Sequence, residues 1–98
     1  MSAYLIANYT ILDPQGYEAY VSAVGPTIQS HGGEILVAGP GSTAVEGNPG
    51  EVTVVLRFPS MAAVQGWYDS PEYQRIIHLR QDSTKGLMVF ANAFAMPR

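Results

Sequence analysis

Two side chains in this sequence carry groups that could take part in acid–base or anion-binding chemistry. His31 stands before Gly32-Gly33 at the predicted end of a helix, where an imidazole could act as a general acid or base near neutral pH. It could equally cap that helix, because a cationic ring suits the negative end of the helix dipole. Arg80 lies on a mostly apolar helical face. Its planar guanidinium could bind a carboxylate or an enolate oxygen, or it could form an ion pair with Glu34, Glu46 or another acid. We take His31 and Arg80 as the candidate catalytic residues.

Five aromatic side chains on the two predicted helical regions are the candidate ligand-binding residues. They are Tyr17, Tyr20, Trp67, Tyr68 and Tyr73. Aromatic walls with a few polar tips are typical of small-molecule pockets between helices and a sheet. The alternative is an ordinary core in which each hydroxyl has a hydrogen-bond partner. The first interpretation predicts a pocket walled by Tyr17, Trp67 and Tyr73. His31 and Arg80 would then lie at its polar end.

The composition excludes several other kinds of site. There is no cysteine, which rules out disulfides, thiolate metal ligands and cysteine nucleophiles. The two histidines are far apart in sequence and form no paired-histidine metal motif. No phosphate-binding glycine loop or nucleophile elbow occurs. The net charge of −3 and five scattered basic residues provide no surface for nucleic acid. We therefore expect no metal, no cofactor and no nucleic-acid partner.

The sequence also lacks the segments that would direct it to a membrane. Its first eight residues carry no basic group ahead of an apolar run, unlike a signal peptide. No apolar stretch approaches the roughly 20 residues needed to span a bilayer. We expect a cytoplasmic protein with no membrane partner.

The first half of the chain predicts a strand, a helix and a second strand. Residues 3–10 are apolar and aromatic, which indicates a strand buried on both faces. Asp13-Pro14 is typical of a helix start. An apolar helical stripe follows at Tyr17, Tyr20, Val21, Val24 and Ile28. Gly25-Pro26 predicts a kink or a restart, and His31-Gly32-Gly33 predicts the helix end. We expect the second strand over residues 34–38 and, after a turn at 39–41, renewed extended pairing over residues 42–46.

The second half predicts a strand, two helix starts and a final strand. Residues 52–58 are rich in β-branched side chains, which favours a strand. Ser60 has the position of an N-cap, and Ser70-Pro71-Glu72 repeats the signals of a helix start. Gly86 is predicted to close this helical region. The last strand is expected over residues 87–94.

This order predicts a single α+β domain over residues 1–98 with a ferredoxin-like βαββαβ fold. Right-handed crossovers place both helical regions on one face of a four-stranded antiparallel sheet. In residues 52–58, Val54 and Leu56 share one face and Val55 and Arg57 share the other, so both faces are largely apolar. A bare apolar face of this kind predicts a homodimer through the open sheet face. Arg57 would then form an ion pair across the dimer rather than contact a ligand.

Several blocks of the sequence resemble a known family. They are Asp13-Pro14, His31-Gly32-Gly33, Phe58-Pro59-Ser60-Met61 and the run from Trp67 to Gln74 with Arg80. Together they resemble the domain-of-unknown-function family 1330 over nearly the whole chain. The resemblance implies the dimeric α/β-barrel superfamily, in which the sheets of two ferredoxin-like protomers pack together, and it implies no established activity. By analogy with superfamily relatives, we expect a small-molecule-handling homodimer. It would be either a cofactor-independent enzyme acting on a small anionic or enolisable metabolite, or a non-catalytic ligand-binding or stress-associated module.

Overall fold

The computed structural model describes residues 1–95, in which strands and helices follow the predicted order. The elements are β1 (Ala3–Ile11), α1 (Pro14–Gln29), β2 (Glu34–Val37), β3 (Val52–Phe58), α2 (Met61–Asp69), α3 (Pro71–Gln74), α4 (Ile77–Gln81) and β4 (Thr84–Asn92). The second helical region is thus divided into three short helices. No helix in the described part of the chain is long and apolar enough to cross a membrane.

The strands form one antiparallel sheet in the order β2-β3-β1-β4. Leu5 lies opposite Leu56 on one side and Phe90 on the other, and its neighbour Ile6 lies opposite Val55 and Val89. Because side chains alternate along a strand, these two rows point to opposite faces. The row that contains Leu5 is buried beneath the helices. The α+β, ferredoxin-like topology with helices on one face is therefore confirmed.

Side-chain caps explain where the helices begin. The carboxylate of Asp13 accepts a hydrogen bond from the amide of Gln15, ahead of Pro14. The hydroxyl of Ser60 accepts from Ala63, and the hydroxyl of Ser70 accepts from Tyr73. Each cap satisfies an amide that has no partner in the first helical turn. These predicted starts are confirmed.

Tertiary packing overrides one of the local predictions in the first half and one alternative of another, the restart at Gly25-Pro26; a kink there stays a prediction. The alternation along β1 buries Leu5 and leaves Ile6 partly exposed, so the strand is not buried on both faces in the single chain. Helix α1 runs through Pro26 without restarting, because Tyr20 before it and Ile28 after it are buried in the same core.

The segment between β2 and β3 does not form the predicted extended pairing. Residues 42–46 are an exposed loop, and β2 ends at Val37, one residue earlier than expected. Gly39 has a φ of +125°, which turns the chain away from the sheet, although its carbonyl still accepts from the amide of Thr53. The end of the loop is held by Asn8, whose side-chain amide exchanges two hydrogen bonds with the backbone of Gly50.

The prediction that Gly86 ends the last helix is wrong. Gly86 lies inside β4, opposite Tyr9. Helix α4 ends at Gln81, and the buried Ser83 anchors the turn because its carbonyl accepts from Leu12 and Asp13. Gly86 is required instead by a close approach of two strands. A Cβ atom there would overlap the carbonyl oxygen of Asn8 and lie 2.5 Å from the Cα of Tyr9. The last strand accordingly starts at Thr84 and ends at Asn92, and not at Phe94.

Replacement of Gly86 by alanine should destabilise the fold. The added methyl group meets backbone atoms of β1 that cannot move without breaking strand pairing, and we expect a loss of about 3 kcal/mol in unfolding free energy. Gly66→Ala is the matched control, since nothing lies within 4 Å of its added Cβ. In a helix, that change should be neutral or stabilise by about 0.5–1 kcal/mol. Urea denaturation of both variants measures the difference, and equal stabilities would contradict the assigned role of Gly86.

Candidate functional site

A cavity of about 140 Å³, here called the central cavity, lies between helix α1 and the covered face of the sheet. Every strand contributes to its wall, as do α1, Trp67 and Arg80. The lining residues are Leu5, Ala7, Tyr9, Tyr17, Tyr20, Val21, Val24, Gly25, Ile28, Ile35, Ala38, Val54, Leu56, Trp67, Arg80 and Met88. The wall is thus aliphatic and aromatic over most of its surface.

The central cavity opens between α1 and the edge strand β2. At this side Val21 is 53% exposed and Ile35 is 55% exposed, although both line the cavity. Gly25 leaves the rim open, because nothing lies within 4 Å of the position where its Cβ would be. The interior residues Leu5 and Trp67 are fully buried. A ligand can therefore enter beneath α1 and reach an apolar interior.

Arg80 supplies the only cation among the lining residues. Its Nε donates a 3.3 Å hydrogen bond to the hydroxyl of Tyr73, and no carboxylate within residues 1–95 lies at ion-pair distance from it. Burial lowers the pKa of Arg80, but the hydrogen bond to Tyr73 and the nearby tyrosines raise this pKa by more. The predicted pairing with Glu34 or Glu46 is therefore not seen, and the guanidinium stays charged.

Four tyrosine hydroxyls form two pairs beside this arginine. The hydroxyl oxygens of Tyr9 and Tyr17 are 2.7 Å apart, and those of Tyr20 and Tyr73 are 2.9 Å apart. Burial is the main cause that raises the pKa of Tyr9 and of Tyr20 far above that of a free phenol. Tyr9 and Tyr20 therefore remain protonated hydrogen-bond donors over the working range of a protein.

The aromatic wall is fixed by ring packing and by one polar contact. The ring centres of Trp67 and Tyr73 are 4.0 Å apart, and those of Trp67 and Phe58 are 5.6 Å apart. The indole Nε1 of Trp67 donates to the hydroxyl of Thr27 at 3.0 Å, and that hydroxyl donates to the carbonyl of Val24 at 2.7 Å. Thr27 thus sets the orientation of the largest side chain in the wall.

His31 and Arg80 do not share one pocket. The Nε2 atom of His31 lies 3.3 Å from a carboxylate oxygen of Glu72, and its Nδ1 lies 3.1 Å from the carbonyl oxygen of Thr27. This places His31 in a shallow surface recess at the end of α1, outside the lining of the central cavity. The predicted joint polar end is wrong, because the contact with Glu72 holds the ring toward α3.

The five predicted aromatic residues have different positions. Tyr17, Tyr20 and Trp67 line the central cavity. Tyr73 is 0% exposed and lies behind the wall, while Tyr68 faces a separate recess that it shares with Arg80. Sequence reasoning missed a sixth aromatic residue, Tyr9. Its place on the alternating buried row of β1, with Leu5 and Ala7, is the signal that could have identified it.

Arg57 forms an ion pair within its own chain. Its guanidinium Nη2 lies 2.8 Å from a carboxylate oxygen of Glu34, directly across the β2–β3 pair. The predicted ion pair across a dimer is therefore corrected: cross-strand register brings the two charges together inside one protomer. Among residues 1–95 no three histidine, aspartate or glutamate side chains come close enough together to hold a metal ion.

The comparisons with known proteins describe what this chain resembles. A family model described as a domain of unknown function, DUF1330, matches residues 2–94. No match was found among curated proteins. A protein of unknown function from Rhodopseudomonas palustris is 16% identical with a TM-score of 0.78, over 97% of this chain and 84% of that one. SnoaB from Streptomyces nogalater, a cofactor-independent oxygenase, is 8% identical with a TM-score of 0.70, over 97% and 95%. A dimeric ferredoxin-like protein of unknown function from Thermobifida fusca is 16% identical with a TM-score of 0.65, over 98% and 92%.

The Thr27 contact predicts a measurable stability effect. Thr27→Val keeps the shape of the side chain but leaves the buried indole N–H of Trp67 without an acceptor, so we expect a loss of about 1–3 kcal/mol in unfolding free energy. Ser22→Ala is the control on the same helix, since the Ser22 hydroxyl only donates to the exposed turn at Glu18. Urea denaturation followed by the fluorescence of Trp67, the single tryptophan, compares the two variants. A loss no larger than that of Ser22→Ala would contradict the role of Thr27.

Proposed function

We propose that this chain, which belongs to the DUF1330 family, binds a small molecule with one ring and an anionic or enolisable oxygen in the central cavity. One observation carries the proposal: Arg80 brings a positive charge without a carboxylate partner in residues 1–95 to a cavity whose walls are otherwise mostly apolar. A charge in such a place is costly unless it is paired. A bound anion supplies the missing partner.

The size of the cavity limits the ligand. Its volume of about 140 Å³ is close to that of an engineered apolar cavity of about 150 Å³ that binds benzene. One six-membered ring therefore fills it, and any further substituent has to extend toward the opening between Val21 and Ile35. Leu5, Trp67 and Met88 supply the apolar contacts for the ring.

The polar side chains of the lining are hydrogen-bond donors. Arg80 has no acceptor atom, and the hydroxyls of Tyr9, Tyr17 and Tyr20, which belong to the same lining, can each donate a hydrogen bond. No aspartate, glutamate or histidine belongs to the lining. This set favours a negatively charged oxygen over an ammonium group or any other cationic ligand.

The same set bears on whether the protein is an enzyme. SnoaB is described as a cofactor-independent oxygenase, and a cavity that stabilises an enolate could serve a reaction of that general kind. The second candidate is a non-catalytic ligand-binding or stress-associated module. It is favoured by the lack of a carboxylate or imidazole among the lining residues, because a substrate proton would have to leave to water rather than to a protein base.

We further propose that the protein works as a homodimer through its open sheet face, defined by Ile6, Val55, Leu87 and Val89. Leu87 is 60% exposed and Val89 is 49% exposed in the single chain. A contiguous apolar surface rimmed by polar residues is typical of a protein–protein interaction site. The similar protein from Thermobifida fusca is described as dimeric, which supports a second copy of this chain as the cover.

Loss of the Arg80 charge should weaken anion binding selectively. In Arg80→Met the aliphatic stem is kept, so we expect benzoate to bind about 10- to 100-fold more weakly, as is typical when a hydrogen bond to a charged group is lost. Toluene, which has no charge, should bind about equally well to both proteins. Arg75→Met is the matched control, because Arg75 is exposed and lies outside the cavity lining.

Quenching of Trp67 fluorescence measures these affinities, because Trp67 lines the cavity. A large drop in melting temperature with benzoate affinity unchanged would identify Arg80 as a structural residue. Failure of both benzoate and toluene to bind the unchanged protein would overturn the proposal that the cavity holds a ring.

A charge on the open sheet face should separate the proposed dimer. Light scattering of the unchanged protein is expected to give the mass of two chains. Val89→Asp should give the mass of one, because an unpaired carboxylate in a dry interface costs several kcal/mol. Val45→Asp is the control, since Val45 is exposed on the loop before β3. Circular dichroism confirms that each variant is folded. A single-chain mass for the unchanged protein at micromolar concentration would contradict the dimer.

A further inference from the structure

Three polar groups form a connected line from Arg80 to the central cavity. The Nε of Arg80 donates to the hydroxyl oxygen of Tyr73 at 3.3 Å, and this oxygen lies 2.9 Å from the hydroxyl oxygen of Tyr20. Tyr73 is 0% exposed and does not line the cavity, whereas Tyr20 is 6% exposed and does. Tyr73 therefore connects a charged group to a cavity-lining phenol.

The direction of the bond between the two tyrosines follows from a count of protons. The Tyr73 oxygen already accepts from Arg80. If Tyr20 also donated to it, the proton of Tyr73 would have no acceptor within residues 1–95, and a buried donor without a partner carries its full desolvation penalty. Tyr73 must then donate to Tyr20. The proton of Tyr20 is left without an acceptor in the described chain, and Tyr20 is one of the residues that line the cavity.

We infer that Tyr20 donates this hydroxyl proton in a hydrogen bond to the anionic oxygen of a bound enolate or phenolate, and that Tyr73 acts as a positioning residue that orients Tyr20. This inference rests on the proposed function and adds the chemical form of the ligand to it. The site binds the deprotonated form of an enol or phenol in preference to the neutral form. At a pH above the lowered pKa of the bound ligand, binding of the neutral form releases its proton to solvent.

Two physical effects strengthen the bond that Tyr20 donates. Hydrogen bonds in a chain polarise one another, so the charge of Arg80 makes Tyr73, and through it Tyr20, a better donor. The chain is also fixed before the ligand arrives, because Tyr73 packs against Trp67 and Tyr20. A donor that is already oriented spends little energy on reorganisation when a negative oxygen arrives.

Burial keeps the donor in its working state. It is the first cause that raises the pKa of Tyr20. Tyr20 therefore does not lose its proton to the ligand, which distinguishes it from a general acid. The groups that face it are Tyr73 from α3, Arg80 from α4, and Tyr9 and Tyr17 from β1 and α1. None of these groups is an acid that could repel an anion.

The experiment uses 4-nitrophenol, a single-ring phenol whose phenolate is yellow and whose neutral form is not. Quenching of Trp67 fluorescence shows whether the probe binds. The absorbance of the bound probe across a pH titration shows which form is bound. We expect the unchanged protein to bind the phenolate at least about tenfold more tightly than the phenol, because a charge-assisted hydrogen bond is stronger than a neutral one. The apparent pKa of the bound probe should then fall.

Two substitutions distinguish the contribution of the donor Tyr20 from that of the positioning residue Tyr73. Tyr20→Phe should bring the preference for phenolate down by about tenfold while the ring still binds. Tyr73→Phe should reduce the preference by a smaller factor, because Tyr20 keeps its hydroxyl but loses its orientation. A merely structural role for Tyr73 would change stability and leave the ratio of the two forms unmoved. Tyr4→Phe is the matched control, because Tyr4 lies on the other face of β1, outside the lining.

The results distinguish this inference from the proposed function. If the probe does not bind the unchanged protein, the proposed function and the inference both fail. If it binds with an unchanged or raised pKa, the cavity is an apolar site only, and the inference alone is overturned. That second test needs no variant, so it stands even if Tyr20→Phe does not fold. An equal effect of Tyr4→Phe and Tyr20→Phe on the preference would likewise overturn the inference.

Discussion

The fold depends on one constraint: large aromatic side chains cover the sheet, and the polar tip of each buried one needs a partner there. The indole of Trp67 reaches Thr27, and the hydroxyl of Tyr20 reaches Tyr73. No buried side-chain nitrogen or oxygen within residues 1–95 lacks a hydrogen-bond partner. These hydrogen bonds fix the conformations of the aromatic side chains that three helices pack against the sheet. Arg80 belongs to the same cluster, because its Nε donates to the hydroxyl of Tyr73. The cavity is the space that remains once these contacts are made.

The same strands perform two different tasks because their side chains alternate. In β1, Leu5 and Ala7 line the cavity. Ile6 and Asn8, which alternate with them along the strand, face the other side of the sheet. A slip of one residue in strand register would move the cavity wall to the open face. Asn8 helps to prevent that slip, because its side-chain amide forms two hydrogen bonds with the backbone of Gly50, close to the start of β3. Asn8, a polar residue on the open face, thus has a structural role within one chain.

Local signals in the sequence predicted the elements well, and long-range contacts explain the errors. Helix starts at Asp13, Ser60 and Ser70 depend on neighbours within three residues, so the sequence was sufficient to place them. Gly86 was misassigned because the contact that requires a glycine there is with β1, the neighbouring strand in the sheet, which lies at the opposite end of the sequence. For the site, residue type identified Arg80 and three of the aromatic wall residues. It could not show that His31 turns toward Glu72, since that depends on how α1 and α3 are placed in space.

The mouth of the cavity and the polar groups in its lining depend on different elements of the fold. Its rim includes β2, a strand of four exposed residues that pairs with β3 alone and has an irregular register between Ile35 and Val37. Segments of this kind open locally at a small fraction of the free energy needed to unfold a core. Arg80 and the tyrosine pairs stand on other elements, namely β1, α1, α3 and α4. Under the proposed function, local opening of this one edge strand governs how fast a ligand exchanges, and substitutions in β2 change that rate while Arg80 and the tyrosine pairs stay the same.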